Sequence, residues 1–177
     1  MYIHIIYILR LNESKRVTDR VNWMKSITSA KTKSEFSVQD FPMVHMAAIH
    51  KTYNAILAKE FRGKDVTPQM WRVLVTLQAK DGYSLGHLAE ITLIEQSHLS
   101  RLIDTMESEQ LVKSQAQSRD KRIKLVYITR RGRVLFKELL PIVMAQYDKI
   151  LAGFDVQETN KLMEFLGRLR ANLNSNS

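Results

Sequence analysis

Residues 84–109 read SLGHLAEITLIEQSHLSRLIDTMESE, and residues 112–128 read VKSQAQSRDKRIKLVYI. In the first stretch, apolar residues recur at helical spacing on both sides of a short break at Leu93-Ile94. Two helices joined by so short a turn are the sequence form of a helix-turn-helix. In the second stretch, a period of two over residues 112–116 and 123–128 predicts two antiparallel strands around a polar loop. A hairpin directly after a helix-turn-helix predicts a winged helix.

Helical spacing continues on both sides of this region. A first amphipathic helix is expected over residues 41–61, and Thr67-Pro68 carries the signals of a helix N-terminus. Apolar residues over 134–151 predict a long helix, and a D-x-x-E capping box opens a last helix at Asp155. The sequence therefore predicts a mainly α fold of the α+β class, with a winged helix-turn-helix lobe at residues 67–133.

Composition narrows the function classes. The chain has 177 residues, 45% hydrophobic and 25% charged, which is typical of one compact domain with appendages. Its net charge of +9 favours a polyanionic partner, either nucleic acid or an anionic membrane. Cysteine is absent, which excludes disulfides and thiolate chemistry. A reducing compartment fits this composition, and we expect a cytoplasmic protein.

The first forty residues differ in amino-acid composition from the rest of the chain. Residues 1–11 are mostly apolar, but a membrane-spanning helix needs about 20 apolar residues and this run is broken at Arg10. The run also lacks the flanking signals of a secretory leader, so no membrane partner is expected. It can pair as a short strand, pack against a partner subunit or precede an authentic start at Met24 or Met43. We interpret residues 1–40 as an N-terminal extension or loosely held arm.

The helix expected over residues 95–109 has two contrasting faces. A step of about 100° per residue groups its apolar residues in one arc and its short polar residues in the opposite arc. Arginine can bond guanine through two hydrogen bonds, glutamine suits adenine, and serine serves either base. The polar arc therefore predicts base contacts in the major groove, with an ordinary solvated face as the alternative. The candidate DNA-binding residues on this helix are Gln96, Ser97, His98, Ser100, Arg101 and Thr105.

The predicted wing carries a local excess of positive charge. Asp120 is the one acidic residue between positions 113 and 133. The cations of this stretch are Lys113, Arg119, Lys121, Arg122, Lys124, Arg130, Arg131 and Arg133. Cations on a hairpin loop can reach phosphates or the narrow minor groove, which adds affinity and salt dependence. We therefore expect DNA contacts from the loop residues Arg119, Lys121 and Arg122.

This ordered series of motifs resembles the MarR family of bacterial transcriptional regulators over about residues 41–172. The resemblance rests on Leu88-Ala89-Glu90, Ser97-His98-Leu99-Ser100-Arg101-Leu102-Ile103-Asp104, Met106-Glu107, Leu111-Val112, Arg119-Asp120-Lys121-Arg122 and Ile128-Thr129-Arg130-Arg131-Gly132. It implies a homodimer whose first and last helices intertwine, which here assigns residues 41–66 and 134–172 to dimerisation and residues 173–177 to a tail. It also implies that two winged-helix lobes read a near-palindromic operator in double-stranded DNA. Many members of the family are repressors that small, often aromatic, anionic ligands release.

Within this resemblance, Ser97, Ser100 and Arg101 match the family's recognition helix. Asp120 and Arg122 match the two ends of its wing-tip Asp-Arg-Arg motif. The family's Arg at the latter position enters the minor groove, and its Asp supports the wing.

The sequence departs from the family pattern at two positions. Lys121 replaces the middle Arg of the wing-tip motif, which keeps the charge but loses the two-pronged hydrogen bond of a guanidinium. Gln110 stands where the family usually has Gly after the recognition helix. If the backbone is left-handed there, a non-glycine residue carries an energetic cost.

The family's ligand pocket implies a further set of candidates. If the dimer fold is right, His45, Tyr53, Trp71 and Arg72 can hold an aromatic acid by stacking and by charge. Packing of Trp71 and Tyr53 in the core is the alternative.

No metal, other cofactor or catalytic site is expected. His45 and His50 do not share a helical face, and no zinc-binding spacing of His or Cys occurs. The sequence also lacks a G-x-S-x-G motif and a glycine-rich phosphate loop, so the protein is not expected to be an enzyme.

The function predicted from these patterns and from the resemblance is that of a dimeric, sequence-specific DNA-binding transcriptional regulator, a repressor released by a small ligand such as an aromatic acid. One alternative is a ligand-independent architectural DNA-binding protein, which would discriminate weakly between sequences. Another is a winged helix that serves as a protein-interaction module, with the apolar N-terminus as its docking element.

Overall fold

The computed structural model describes residues 37–38, 41–116 and 124–175. The extension expected over residues 1–40 lies almost entirely outside these residues. The expected wing-tip residues that also lie outside them are Arg119, Asp120, Lys121 and Arg122.

The described parts of the chain form helices and a small sheet in the order of a winged helix. In chain order the elements are α1 (Pro42–Glu60), α2 (Pro68–Ala79), β1 (Tyr83–Ser84), α3 (Leu85–Thr92), α4 (Gln96–Ser108), β2 (Val112–Ala116), β3 (Lys124–Ile128), α5 (Arg130–Ile150) and α6 (Val156–Asn174). The chain divides into two compact units, residues 1–55 and 56–177, and the boundary falls inside α1. The mainly helical α+β class and the helix-turn-helix followed by a hairpin are confirmed.

Side-chain caps fix where several helices begin. The hydroxyl of Thr67 caps α2, and Pro68 occupies the first turn. The missing N–H of proline costs no hydrogen bond there, because the N–H groups of the first turn have no acceptor within the helix. Ser84 caps α3, and Asp155 exchanges hydrogen bonds with Glu158 at the start of α6. These three starts were predicted because the capping residue types stand directly before apolar residues at helical spacing.

Helix α5 begins four residues earlier than its apolar pattern indicates, at Arg130 instead of Val134. The hydroxyl of Thr129 accepts a hydrogen bond of 3.1 Å from the Gly132 N–H and so caps the helix. The first turn has no apolar residues, and periodicity alone therefore missed it.

The sheet has three antiparallel strands in the order β1-β3-β2. In the hairpin, Val112 pairs with Ile128 and Ala116 with Lys124, so the predicted antiparallel pairing of the two segments is confirmed. Strand β1 is an addition, because two residues are too few to show a period of two. It pairs with the middle of β3 and closes the free edge of that strand.

The core of the second unit lies between α2, α3, α4, the sheet and α5. Its largest fully buried side chains include Leu74, Leu88, Leu99, Met106 and Leu139. The buried apolar edge of α4 therefore packs against the rest of the lobe, which fixes the direction of its polar face.

Among the glycines of the chain, Gly132 has the least room for a side chain. A Cβ atom at this position would lie 2.2 Å from the carbonyl oxygen of Leu111, which no real Cβ tolerates. Residue 132 is therefore glycine for lack of space, because the first turn of α5 lies directly against the chain segment that leads from α4 into β2.

We expect Gly132→Ala to lower the free energy of unfolding by about 2 kcal/mol or more, because the backbone of α5 or of β2 must shift to admit the methyl group. Urea unfolding followed by circular dichroism measures the change. Gly86→Ala is the matched control, since a Cβ there meets no atom within 4 Å. Equal losses from the two substitutions would contradict the importance of the close approach.

No helix among the described residues is both long enough and apolar enough to cross a membrane.

Candidate nucleic-acid interface

The polar face of α4 is turned outward, as its sequence pattern predicts. Leu99, Ile103 and Met106 are buried, whereas Leu102, which was expected beside them, is only half-buried. The candidate DNA-binding residues with exposed side chains are Gln96, Ser97, His98, Arg101 and Thr105, and Ser100 is half-buried. The structure therefore brings all six candidates of α4 onto one accessible helix.

Glu95 caps the N-terminus of α4 with its side chain. Its two carboxylate oxygens accept hydrogen bonds from the N–H groups of Ser97 (2.9 Å) and His98 (3.0 Å). The hydroxyl of Ser97 donates a further hydrogen bond to the same carboxylate. A negative charge is favourable at this end of a helix, where the backbone N–H groups and the helix dipole are positive.

This arrangement favours the charged form of Glu95. The bond from the Ser97 hydroxyl, the backbone bonds from Ser97 and His98 and the nearby charge of Arg101 together lower the pKa of Glu95 to about 2. Sequence reasoning used Glu95 only to mark the start of the helix. An acidic residue directly before a Q-S-H turn is the signal that could have identified the cap.

His98 is held by a second helix. Its Nε2 atom lies 2.9 Å from Oε1 of Gln69 on α2, although His98 is exposed and Gln69 is only half-buried. One ring nitrogen is thus engaged within the protein, which ties the first turn of α4 to the start of α2.

Glu107 joins α4 to the hairpin. Its Oε1 atom accepts a hydrogen bond of 2.5 Å from the Ser114 N–H on β2. The hairpin is therefore attached to the last turn of α4 through a charged acceptor, which is stronger than a neutral one. No sequence pattern indicated this pair, because the two residues are seven apart and meet only after the chain reverses.

The charge of Arg133 is used inside the protein. Its position in the sequence placed it among the wing cations, but its Nη2 atom lies 2.6 Å from Oδ2 of Asp81, and its Nη1 atom donates to Gln78 at 3.2 Å. Asp81 also accepts a hydrogen bond of 2.8 Å from the Ile128 N–H. Arg133 therefore fastens α5 to the turn before β1, and we remove it from the cations that face DNA.

The described cations beside the hairpin have exposed side chains. They are Lys113 on β2, Lys124 on β3, and Arg130 and Arg131 at the start of α5. These four positions retain the positive charge next to α4 that the sequence predicted.

Gln110 has a left-handed backbone, with φ of +60°. The N–H of Gln110 bonds the Glu107 carbonyl at 2.9 Å, and the N–H of Leu111 bonds the Met106 carbonyl at 2.8 Å. These bonds end α4 in the way that usually requires glycine. The cost that the sequence indicated for Gln at this position is therefore present.

We expect Gln110→Gly to raise the free energy of unfolding by about 1 kcal/mol, because glycine adopts the left-handed conformation without strain. Urea unfolding monitors this gain. Ser108→Gly, at the last residue of α4, is the control and should lower stability by about 0.5 kcal/mol. A loss of stability in Gln110→Gly would show that the side chain contributes more than the strained backbone costs.

The cap at Glu95 predicts a pH dependence. The pKa of Glu95 in the folded state, about 2, lies below the ordinary value of 4.5, so its contribution to stability is full above pH 4.5 and disappears as the pH falls to 2. The stability advantage of the wild type over Glu95→Gln should therefore be constant above about pH 5 and shrink at lower pH. Urea unfolding at a series of pH values measures it.

In Ser97→Ala the carboxylate loses its strongest stabilising bond, and the pKa of Glu95 should rise toward its ordinary value. NMR titration of the carboxylate carbon measures this shift. An unchanged midpoint in Ser97→Ala would contradict the cap geometry.

The four candidate ligand residues fall in different units. In the first unit, His45 is exposed and Tyr53 is half-buried, and burial raises the pKa of Tyr53. In the second unit, Trp71 is buried, and its ring stacks on Phe136 with centroids 5.3 Å apart and planes 6° apart. The packing of Trp71 is that of a core residue.

Arg72 is half-buried beside this core. Its Nη1 atom donates a hydrogen bond of 3.1 Å to the Thr92 carbonyl, and no described residue accepts a hydrogen bond from its buried Nε. Burial lowers the pKa of Arg72. A partly desolvated guanidinium with an unused donor is a suitable partner for a carboxylate.

Among the residues that the structure describes, no three His, Asp or Glu side chains are grouped closely enough to hold a metal ion.

Comparison with known proteins shows that the winged-helix lobe is similar to transcriptional regulators. Residues 66–124 match the sequence profile of the MarR family. A transcriptional regulator of the MarR family from Silicibacter pomeroyi is 30% identical to this chain. The alignment covers 80% of this chain and 96% of that structure, with a TM-score of 0.72.

Two further relatives carry functional names. The transcriptional activatory protein BadR from Rhodopseudomonas palustris is 28% identical over 82% of this chain and 84% of its own length. BpsR from Bordetella bronchiseptica, whose DNA binding is regulated by 6-hydroxynicotinic acid, is 19% identical over 76% of this chain and 96% of its own, with a TM-score of 0.69. The latter likeness shows the fold alone.

Proposed function

Because this chain belongs to the MarR family of DNA-binding transcriptional regulators, we propose that it binds a near-palindromic operator as a homodimer, with α4 of each protomer in the major groove. The observation that carries the proposal is the polar face of α4, which is exposed above a buried apolar edge. Helix-turn-helix proteins present the N-terminal part of their second helix to base edges in this way.

The side chains on this face suit base recognition. Arg101 can bond guanine through O6 and N7, and Gln96 can bond adenine through N6 and N7. Ser97 and Ser100 are small enough to let the backbone of α4 approach the bases. These residues supply sequence information, while exposed cations on the hairpin supply attraction for phosphates.

Exposed apolar side chains support the homodimer. On α6, Phe165, Leu169 and Leu173 are 45%, 40% and 62% exposed. Their spacing of four places them along one stripe of the helix. Contiguous apolar surface of this kind is rare on monomers, and a second copy of the chain would cover it. We assign residues 41–66 and 134–172 to this dimer contact.

We further propose that a small anion, such as an aromatic acid, controls DNA binding. Arg72 supports this proposal, since its guanidinium is only half-buried and can pair with a carboxylate. The regulation of BpsR by 6-hydroxynicotinic acid makes that compound a suitable first test. A ligand that shifts the two lobes away from the half-site spacing would release DNA, because both lobes could no longer bind together.

Repression is the proposed outcome at the promoter, and activation is a second candidate. The activatory name of the relative BadR favours the second. In vitro transcription from the gene's own promoter, with and without the protein, separates the two.

The mechanism predicts which substitutions change specificity. Selection from a random DNA library yields the operator, and a salt titration against scrambled DNA of equal length measures specificity. We expect a preference of at least about a thousandfold with two protected half-sites. Arg101→Ala should lower operator affinity by about 10- to 100-fold and relax preference at one position of each half-site. Lys80→Ala, at an exposed lysine just after α2 and outside both the proposed dimer contact and the candidate DNA contacts, is the control.

Contacts to phosphate should behave differently from contacts to bases. Arg122→Ala and Lys124→Ala should weaken binding to operator and scrambled DNA alike and reduce the dependence of affinity on salt. Equal binding of the wild type to both DNAs would favour the architectural alternative. Absence of binding at low salt would favour the protein-interaction alternative.

A further inference from the structure

We propose that Glu95 and Ser97 form an acceptor-only pair at the tip of α4 that reads the amino group of cytosine in the major groove. The inference rests on the proposed function, because it requires α4 to enter that groove. It adds a specificity-determining residue, Glu95, and the base that this residue selects.

The hydroxyl of Ser97 is held in one hydrogen-bonding role by Glu95. A free serine hydroxyl can donate or accept, and therefore serves any base. Here the hydroxyl hydrogen is directed to the carboxylate of Glu95. Only lone pairs of the Ser97 oxygen remain for an outside partner, so this serine can accept from a base but cannot donate to one.

The carboxylate of Glu95 is not fully used by the bonds of the helix cap. An ionised carboxylate offers about four lone-pair positions, and three of them are used by the two N–H groups and the hydroxyl. The Glu95 side chain is exposed, and it lines an open depression of about 430 Å³ together with Leu85, Gln96, Ser97 and Ser100. The carboxylate of Glu95 therefore keeps one acceptor position for a donor from outside the protein.

The N-terminus of α4 is a poor binding site for a DNA phosphate. The N-terminus of a helix commonly binds phosphate through its free N–H groups. At α4 the N–H groups of Ser97 and His98 already bond Glu95, and its negative charge repels phosphate. The tip of α4 is therefore unsuited to the DNA backbone and suited to a hydrogen-bond donor.

The donor that fits is the amino group of cytosine. Guanine presents only acceptors in the major groove, and thymine presents an acceptor and a methyl group, so a carboxylate is unfavourable beside either base. The amino group of adenine lies between two acceptors, N7 of the same base and O4 of the paired thymine. Cytosine presents a donor with no acceptor on its own base, and it is the usual partner of a glutamate in DNA recognition.

Arg101 supplies the complementary donor on the same helix. The hydrogen bonds from Ser97 and His98, with a smaller contribution from the charge of Arg101, lower the pKa of Glu95 to about 2 and keep its carboxylate ionised at neutral pH. An acceptor pair at the tip and a guanidinium farther along predict that each half-site contains a cytosine for Glu95 and a guanine for Arg101.

Library selection with the full-length protein tests the proposal. The wild type, Glu95→Gln, Glu95→Ser and Arg101→Ala are each used to select DNA, and base preference is compared position by position. Gln is isosteric but adds an amide donor, whereas Ser removes the carboxylate and is itself a good helix cap. Thermal unfolding of each variant identifies any loss of folded protein.

The expected result is a change at one position of each half-site. The wild type should prefer cytosine over thymine there by roughly 10- to 100-fold, and both Glu95 variants should reduce that preference to about threefold or less. The guanine preference that Arg101→Ala removes should persist in both Glu95 variants.

Two results would overturn the inference. Unchanged cytosine preference in Glu95→Gln and Glu95→Ser would show that Glu95 only caps the helix. An equal loss of preference at all positions would show that it only maintains the structure of α4. If the wild type itself selected no sequence, the proposed function would fail, and this result is distinct from both.

Discussion

The carbonyl oxygen of Leu111 is the point at which the parts of the proposed DNA-reading lobe are held together. It accepts a hydrogen bond of 3.0 Å from the N–H of Thr129, and Gly132 lies directly against it. The hydroxyl of Thr129 donates to the neighbouring carbonyl of Gln110 at 2.6 Å and lies 3.1 Å from the Leu111 oxygen. Leu111 follows α4 and precedes β2, while Thr129 follows β3 and precedes α5. Four elements therefore meet at one peptide group, and the angle between α4 and the hairpin depends on this contact.

A second polar junction holds the other side of the sheet. Asp81 bonds the backbone of Ile128 and the guanidinium of Arg133, so the turn before β1 is joined to the end of β3 and to α5. Both junctions lie at the same end of β3, one on each side of it. Apolar packing stabilises the lobe without fixing angles closely, because hydrophobic contacts are non-directional. Hydrogen bonds of defined geometry at the two junctions supply the orientation that α4 and the wing need.

The sequence predicted the parts of the fold that depend on local pattern. The starts at Thr67, Ser84 and Asp155 were identified because a capping side chain and the backbone it bonds are at most three residues apart. Strand β1 was missed because its two residues carry no period. The start of α5 was missed because its first turn, residues 130–133, contains three arginines and a glycine and no apolar residue that would show helical spacing.

In the candidate site, too, local patterns were predicted from the sequence and contacts between distant residues were not. The polar face of α4 followed from helical spacing, but the roles of Arg133 and Glu107 did not. Arg133 meets Asp81 across 52 positions of sequence, and charge counting cannot distinguish such a pair from a solvated cation. Gln110 shows the converse case: the resemblance to a family with glycine at that position indicated a left-handed residue, and the backbone has φ of +60°.

The distribution of charge over the lobe separates affinity from specificity. Cations on the hairpin attract any DNA, because phosphates are the same in every sequence. In the proposed complex, an acidic residue at the tip of α4 has the opposite effect, because its charge repels phosphate and makes binding there dependent on a matching donor. A genome offers many competing nonspecific sites, so the ratio of the affinities for the operator and for unrelated DNA decides occupancy. If Glu95 bonds a base as proposed, it lowers the affinity for unrelated DNA more than the affinity for the operator, and specificity rises with the difference between them.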